Sequence, residues 1–233
     1  MIYLILGEKM IKEFVNYPYY NGDSYHLSEL AKCGKRYAYE RKHRNKVEHM
    51  DIWDVGLAWE YYLTNILEKH FKIGTVKNND SVDINIGGLP FIGHIDISVY
   101  PQKVTTSGKT IGDMGEKHII DFPYTIFEVK YSESRNNYYD IYSRQLRAYG
   151  TALYLQNKEP EMWLEMYNNK HWKEQKLKPI TQEDIDFLNI QVKAFKTQRY
   201  QKGIENSLCK ICPLFQFCNA ESIEDYGEPI WQI

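Results

Sequence analysis

The chain has 233 residues, 43% of them hydrophobic, and a formal net charge of −2. This length suits one globular domain with a real core, and the small net charge excludes an overall attraction to nucleic acid, so that a nucleic-acid site must depend on local patches. The start of the chain lacks a signal-peptide cleavage site, and no apolar run reaches the roughly 18 residues of a membrane span. We therefore expect a cytoplasmic protein with no membrane contact.

Two helices are predicted in the first third of the chain. The first covers residues 28–44, with Ser28 as its N-cap, and the second covers about 52–71. Apolar residues recur in the second helix at helical spacing. The first helix is basic: residues 32–46 hold seven Lys or Arg against one Glu, with Tyr37 and Tyr39 between them.

Strand patterns dominate the middle of the chain. The stretches SVDINI and PFIGHIDISVY alternate in polarity around Gly87-Gly88, which predicts a β-hairpin. Residues 101–118 are polar and hold three glycines, which predicts a loop or an insertion. A strand is expected from Thr125 to Tyr131, because Pro123 weakens the residues before it.

The last predicted elements are a helix over 137–157, a second hairpin around Asn168-Asn169, and a helix that follows Thr181 and runs to about Gln201. Asp184 lies three positions after Thr181, in the capping-box position. Helices and hairpins in this order indicate a mixed α/β domain.

Three short segments carry candidate chemistry. Alternation along Glu128-Val129-Lys130 would put the carboxylate and the ammonium on one face of a strand. Asp96, at the end of Gly93-His94-Ile95-Asp96, could join Glu128 from a neighbouring strand. Two converging carboxylates suit Mg²⁺ or Mn²⁺, which polarise phosphates and acidify bound water. Each segment also occurs by chance in ordinary strands, so their order along the chain carries more weight than any one of them.

The third segment places Gln145 and Tyr149 four residues apart, on one face of the helix that follows. With this segment the chain resembles the RecB-like branch of the PD-(D/E)XK nuclease superfamily, which carries G-x-x-D, E-x-K and Q-x3-Y in this order. The resemblance implies a restriction-endonuclease-like core with a central mixed β-sheet flanked by helices. It also implies a single nuclease domain over 1–233, with a basic N-terminal helix at 24–47, the core at 48–202 and a C-terminal segment at 203–220.

The resemblance also implies roles for individual residues. Asp96 and Glu128 would bind the metal, with the Val129 carbonyl as a further ligand, and Lys130 would orient or activate the attacking water. Gln145 and Tyr149 would support the site and the DNA.

One position departs from the pattern of the branch, which has a glycine followed four residues later by a metal-binding histidine. This chain has Glu60 four residues after Gly56. Glutamate is a competent ligand for Mg²⁺ or Mn²⁺. The alternative for Glu60 is a solvated helix carboxylate.

The four cysteines form a second candidate site. Cys209, Cys212 and Cys218 have the spacing C-x2-C-x5-C, and Cys33 stands alone upstream. In a reducing compartment such cysteines are metal ligands more often than disulfides, and spacing alone does not separate zinc from iron. The chain resembles the CRISPR-associated RecB-like exonucleases and the nuclease domain of AddB, in which one early and three late cysteines hold a [4Fe–4S] cluster. The resemblance implies that this cluster joins the two ends of the domain.

Candidate nucleic-acid contacts lie in the basic helix beside Cys33: Lys35, Arg36, Arg41, Lys42 and Arg44. A second basic stretch, KTQRYQK at 196–202, leads into the late cysteines. Basic residues interleaved with tyrosines suit a phosphate backbone and its bases. The alternative is an ordinary solvated face of a helix.

The sequence thus predicts a metal-dependent DNA exonuclease. The resemblance implies a preference for single-stranded DNA or DNA ends, and a role in CRISPR spacer acquisition, with integration proteins as partners, or in end processing by a mobile element. Two alternatives stay open: an inactive nucleic-acid-binding module that keeps the fold, and a redox or zinc scaffold protein.

Overall fold

The computed structural model describes residues 25–33, 37, 51–72, 74–107, 117–131, 139–167 and 172–197. The elements in these ranges are, in chain order, β1 (Tyr25–His26), α1 (Leu27–Lys32), α2 (Asp51–His70), β2 (Val76–Ile86), β3 (Leu89–Val99), β4 (Gln102–Ser107), β5 (Lys117–Phe122), β6 (Thr125–Tyr131), α3 (Tyr139–Tyr154), β7 (Glu161–Tyr167), β8 (Trp172–Lys176) and α4 (Gln182–Thr197).

The described strands form one six-stranded mixed sheet and a separate two-stranded sheet of β4 and β5. Strand β3 is central: β2 pairs antiparallel along its length, β1 pairs parallel at residues 91–92, and β6 pairs antiparallel at 97–99. Strand β7 runs parallel to β6, and β8 runs antiparallel to β7. The fold is therefore a mixed α/β domain with a central mixed sheet flanked by helices.

Helices α2 and α3 contribute to two separate cores. Leu146, Ala152 and Leu153 of α3 pack with Ile126 and other sheet residues in the larger core. Three residues of α2 pack in the smaller core with sheet residues that include Val129: Trp59, Leu63 and Leu67. Because neighbouring residues of a strand point to opposite faces, these contacts place α2 and α3 on opposite faces of β6.

Most of the predicted elements of the described chain are present. The hairpin around Gly87-Gly88 forms, with both glycines at positive φ, and the strand Thr125–Tyr131 has the predicted bounds. The predicted second hairpin is β7 and β8, although Asn168 and Asn169 lie outside the described residues. No helix in the described ranges is long and apolar enough to cross a membrane.

Two predictions of local structure were wrong. Residues 101–118 were expected to form a loop or an insertion, and the loop is wrong for 102–107, which form strand β4 and pair with β5. The β-branched residues Val104, Thr105 and Thr106 favour this pairing over the loop that the glycines indicated.

The first helix was also predicted incorrectly. Helix α1 begins after His26 and ends at Lys32, because the backbone at Cys33 is extended. Ser28 therefore lies inside α1 and is not its N-cap. Helical backbone is present again at Tyr37, the next described residue, whose N–H donates to the Cys33 carbonyl over 2.9 Å.

The predicted cap of α4 also links two helices. The backbone N–H of Thr181 donates to Asp184 Oδ2 over 2.8 Å, and the Arg147 guanidinium on α3 also binds this carboxylate. Burial opposes ionisation of Asp184, yet the hydrogen bonds from Arg147 and Thr181 hold its pKa below the usual range.

Strands β2 and β3 change faces at one point. Val82, Phe91 and Ile95 belong to the core that contains α3, whereas Val76 and Ile97 belong to the core that contains α2. Val76 and Val82 of β2 are an even number of residues apart, and so are Phe91, Ile95 and Ile97 of β3. In a regular strand, residues at such spacing point to the same face. The change occurs between the register pairs Asn78↔Ile97 and Asp80↔Ile95, where Asn79 has φ of 53° and lies opposite Asp96.

Asn79 is expected to be needed for this change of face. Asparagine tolerates the left-handed conformation, whereas a β-branched residue does not, so Asn79→Val should lower the free energy of unfolding by about 1–2 kcal/mol. Asn79→Gly should stay close to the wild type. Urea denaturation measures both, with Ser81→Val as the control, because Ser81 is an exposed residue of the same strand with ordinary backbone angles. Equal stability of the Val and Gly variants at position 79 would contradict the assignment.

Candidate active site

The sheet brings Asp96 of β3 together with Glu128 and Lys130 of β6. The Lys130 ammonium lies 2.6 Å from Glu128 Oε1 and 3.0 Å from Asp96 Oδ2. The backbone N–H of Val129 donates to the same Asp96 oxygen over 2.8 Å. One lysine therefore bridges two carboxylates that are far apart in the sequence.

The separation of two strands explains this geometry. Strands β3 and β6 pair only from Val99↔Thr125 to Ile97↔Phe127. Asp96 is the next residue of β3 after the last pair. Its carboxylate accepts the hydrogen bond from the Val129 N–H, which a longer β3–β6 ladder would have donated to a backbone carbonyl. Asp96 is thereby fixed at the point where the strands part, which is also where β3 changes faces.

The site is largely shielded from solvent and is rich in acid. The exposed fraction of the side chain is 0% for Glu128, 14% for Asp96 and 22% for Lys130. Burial by itself would lower the pKa of Lys130, but Asp96, Glu128 and Glu60 together raise it well above its usual range. The ammonium is therefore held in its charged form.

Glu60 of α2 adds a third carboxyl group to the surroundings of Lys130. Burial raises the pKa of Glu60 to about 9, the carboxylates of Asp96 and Glu128 add to the rise, and Lys130 opposes it. The carbonyl of Glu60 accepts a hydrogen bond from Thr64, which in turn accepts one from Asn78 of β2. These bonds attach the helix turn that carries Glu60 to the sheet.

Gln145 and Tyr149 lie on the α3 side of the site. Gln145 Nε2 donates to the Tyr149 hydroxyl over 3.1 Å, and Tyr149 is 2% exposed. Burial and the nearby carboxylates of Glu128 and Asp96 raise the pKa of Tyr149 well above its usual range, so its phenol stays protonated. The two residues therefore form a neutral, hydrogen-bonded pair behind the charged groups.

Gly93 makes room for this tyrosine. A Cβ atom on Gly93 would lie 2.8 Å from Tyr149 Cδ1 and 2.8 Å from Val82 Cγ1, closer than carbon atoms pack. The glycine of the G-x-x-D segment is thus explained by the tyrosine of the Q-x3-Y segment. Sequence reasoning treated these two residues as independent parts of a pattern.

The structure also shows neighbours of the site that the sequence did not single out. The ring of Tyr142 lies near Lys130, with 5.9 Å between the ring centroid and Nζ. Asn79 stands opposite Asp96 on the neighbouring strand. The positive φ of Asn79 left no signal in the sequence beyond the general tolerance of asparagine for that conformation.

The structure describes only part of the predicted cysteine and basic sites. Cys33 is partly exposed and ends α1, whereas the other three cysteines and all five proposed basic contacts lie outside the described residues: Cys209, Cys212, Cys218, Lys35, Arg36, Arg41, Lys42 and Arg44. Tyr37 is 3% exposed and stacks on Phe195, with 5.0 Å between ring centroids. It therefore does not serve as a stacking residue for nucleic acid.

Comparison with known proteins defines the fold and no more. No family profile matches the sequence, and no curated protein matches it. A search of solved structures finds the crystal structure of SSO0001, with a TM-score of 0.56, 17% sequence identity, and coverage of 95% of this chain and 98% of that chain. At this identity the similarity establishes a shared overall fold.

The raised pKa of Glu60 makes stability depend on pH. The folded protein keeps the proton of Glu60 up to about pH 9, whereas the unfolded chain loses it near pH 4.5. The contribution of this group to stability therefore falls as the pH rises between these values. We expect metal-free Glu60→Gln, which cannot titrate, to gain stability over the wild type progressively as the pH rises from about 5 to about 9.

Urea denaturation in EDTA at several pH values measures this difference. The control is Glu68→Gln, since Glu68 is exposed on the same helix. A constant difference between Glu60→Gln and the wild type across the pH range would show that Glu60 ionises in the fold as it does in the open chain.

Proposed function

We propose that this protein is a metal-dependent nuclease that hydrolyses phosphodiester bonds in DNA at the site formed by Asp96, Glu128 and Lys130. The observation that carries the proposal is the bridge of the Lys130 ammonium between the two carboxylates. A buried acidic cluster with a charged lysine, drawn from two diverging strands, combines the groups that phosphate chemistry uses: carboxylates for a metal and a cation for developing negative charge.

The residues fit a divalent cation in donor chemistry. Carboxylate oxygens are the ligands that Mg²⁺ and Mn²⁺ prefer, and the cluster has three carboxyl groups against one ammonium. Within the described ranges, no three His, Cys, Asp or Glu side chains converge as a metal-binding group, and the Lys130 ammonium lies between Asp96 and Glu128. Lys130 would have to give up one of its two contacts for a cation to take its place.

Each residue has a role that its position allows. Asp96, Glu128 and the Val129 carbonyl would hold the cation, with Glu60 as a fourth ligand once it is deprotonated. The cation would polarise the phosphate and lower the pKa of a water molecule. Lys130, freed from one carboxylate, would hold the attacking water or offset charge on the phosphate oxygens. Tyr149 and Gln145 would keep Glu128 and Asp96 in place from the α3 side.

The fold is consistent with this proposal. A central mixed sheet with α2 and α3 on its two sides fits a restriction-endonuclease-like core, and we propose that the chain forms one nuclease domain over 1–233. The similarity to SSO0001 supports the fold without bearing on activity.

We also propose that Cys33, Cys209, Cys212 and Cys218 hold a [4Fe–4S] cluster that joins the two ends of the domain. Tyr37, which follows Cys33 closely, stacks on Phe195 near the end of α4, the helix that precedes the late cysteines in the chain. This contact brings Tyr37 next to the end of α4, after which the chain leads to the late cysteines. Such a cluster would couple metal binding to folding.

The proposed substrate is single-stranded DNA or DNA ends, degraded as an exonuclease. Lys35, Arg36, Arg41, Lys42 and Arg44 would contact its phosphates. A role in CRISPR spacer acquisition, alongside integration proteins, or in end processing by a mobile element would follow from this activity.

The activity is tested with labelled single strands in Mn²⁺ or Mg²⁺. We expect cleavage that EDTA abolishes and that Asp96→Asn and Lys130→Gln each reduce at least about hundredfold. Asp121→Asn and Lys103→Ala should cleave normally, since these side chains are 84% and 75% exposed in the β4–β5 sheet. Thermal unfolding of each variant checks that the loss is not one of folding, because removing one partner of a buried ion pair destabilises proteins.

The same assay separates the alternatives. A circular single strand has no ends and should resist an exonuclease. Metal-dependent cleavage that survives both Asp96→Asn and Lys130→Gln would place the reaction elsewhere in the chain. Binding of single strands without any cleavage would favour an inactive binding module.

The cysteine proposal is tested by analysing anaerobically purified protein for metal. We expect iron and acid-labile sulfide, with visible absorption, in the wild type and a loss of most of both in Cys33→Ser, with lower thermal stability. The control is Ser28→Cys, which adds a thiol to α1 and leaves Cys33 in place. Zinc in place of iron would keep the ligand set and reject the cluster, and a full iron content in Cys33→Ser would reject Cys33 as a ligand.

A further inference from the structure

Five aromatic residues form a contiguous cluster at one end of the sheet. This aromatic cluster consists of Trp59 and Tyr62 of α2, Tyr131 at the end of β6, Tyr167 at the end of β7 and Trp172 at the start of β8. Ring centroids are 3.9 Å apart for Trp59 and Tyr167, 5.3 Å for Trp59 and Tyr62, and 5.7 Å for Trp59 and Trp172. Tyr131 joins through Tyr167 at 5.8 Å.

The cluster has a fixed base and an exposed surface. Trp59 is partly buried against the core beneath α2, and Trp172 donates a hydrogen bond to Glu165, which is 6% exposed. Tyr62 is nevertheless 53% exposed and Trp172 is 42% exposed. Large aromatic rings that are held in place and left open to solvent offer flat faces at little cost in side-chain entropy.

The cluster adjoins the candidate active site along two separate elements. Trp59 immediately precedes Glu60 on α2, and Tyr131 immediately follows Lys130 on β6. Neighbouring Cα atoms in a chain are about 3.8 Å apart, so the backbone of the cluster adjoins the acidic site on both elements. On β6, alternation turns the Tyr131 side chain to the α2 face with Val129, while Lys130 points to the other face.

Two cationic side chains lie at the same end of the sheet, but they contact α3 and are therefore on the opposite face from Trp59 of α2. Lys173, which follows Trp172, is exposed, and its ammonium lies 5.3 Å from the ring centroid of Tyr139 at the start of α3. Lys130 similarly lies near the ring of Tyr142. This end of the sheet therefore presents the exposed rings of Tyr62 and Trp172 on its α2 side and the exposed ammonium of Lys173 on its α3 side.

We propose that the aromatic cluster is a stacking surface for unpaired nucleobases, which holds the substrate strand beside the Asp96–Glu128–Lys130 site. The inference rests on the proposed nuclease function and adds a binding site to it. Nucleobases have the required flat faces, and the phosphates of a strand that crosses this end of the sheet would be attracted by Lys173 on the α3 side. Within a duplex both faces of each base are covered by its neighbours, so unpaired bases offer faces for stacking that the interior of a duplex does not.

Exposed rings of Tyr62 and Trp172 would make the contacts with bases, while Trp59 and Tyr167 support them. Burial and the nearby carboxylate of Glu174 raise the pKa of Glu165 to about 7, so Glu165 is mostly protonated below neutral pH, while Glu174 is exposed on the same face of β8 as Trp172. The surface would select single strands through their bases without reading sequence, since every base has a face to stack.

The test compares two strands of equal length and equal phosphate charge, one of thymidines and one of abasic sugars. Fluorescence anisotropy in Ca²⁺ gives the Kd of each strand for the wild type, Trp172→Ala and Tyr62→Ala. We expect each substitution to weaken binding of the thymidine strand roughly five- to a hundredfold and to leave binding of the abasic strand unchanged.

Matched controls are Tyr61→Ala and Tyr154→Ala, because both tyrosines are 40% exposed. Tyr61 is one position from Tyr62, which is about 100° around the helix, and Tyr154 ends α3. Neither control should change the Kd of either strand. Thermal unfolding verifies the fold of every variant, and Trp172→Phe, which keeps a ring, should recover most of the affinity.

Each other outcome overturns the proposal in a distinct way. Equal weakening on both strands would mean that the cluster acts through the fold or through charge. Unchanged binding of the thymidine strand would mean that bases do not contact the aromatic cluster. If the variants differ from the wild type only in sedimentation, the cluster is a contact between copies of the chain. Base-dependent binding by a wild type that cleaves nothing in Mn²⁺ would reject the nuclease function and keep the stacking surface.

Discussion

The contact on which the site depends is the ion pair between one ammonium and two carboxylates at the parting of β3 and β6. Glu128 is fully buried, and a buried carboxylate without a cation would carry a large desolvation cost. Lys130 offsets that cost for Glu128 and for Asp96 together, and Asp96 gains a further bond from the Val129 N–H. Glu60 retains its proton chiefly because it is buried, and the carboxylates of Asp96 and Glu128 add to the rise of its pKa. The three carboxyl groups share one ammonium, an imbalance that a divalent cation would relieve.

An irregular backbone in β2 and β3 allows Asp96 to reach Lys130. Asn79 adopts a left-handed conformation opposite Asp96, and at this point β2 and β3 exchange the faces that they present to α2 and α3. Pairing of β3 with β6 ends at Ile97↔Phe127, next to the same residue. Asp96 therefore occupies a position where a regular sheet would leave no space for a side chain to accept a backbone N–H. Strained or irregular backbone is concentrated at functional sites in proteins, which agrees with this placement.

Tight packing holds the α3 side of the site. Tyr149 lies against Gly93 so closely that no larger residue fits there, and its hydroxyl is bound by Gln145. On the α2 side, Trp59 extends the same region outward into a cluster of exposed rings. The site thus has a close-packed, neutral wall from α3, and on α2 it is linked to the aromatic cluster through Trp59, which directly precedes Glu60.

The sequence by itself determined the elements with strong local signals. The Gly87-Gly88 turn, the strand Thr125–Tyr131 and the cap at Thr181 were readable because alternation, paired glycines and capping residues act over a few neighbours. It also placed Glu128 beside Lys130, since alternation alone fixes that relation. The sequence allowed Asp96 to join them, and the tertiary structure decided that it does. Only the tertiary structure decided that Tyr37 is buried, that residues 102–107 pair as a strand, and that aromatic residues from four elements meet at one end of the sheet. These outcomes depend on contacts between segments far apart in the chain, whose free energies no local pattern records.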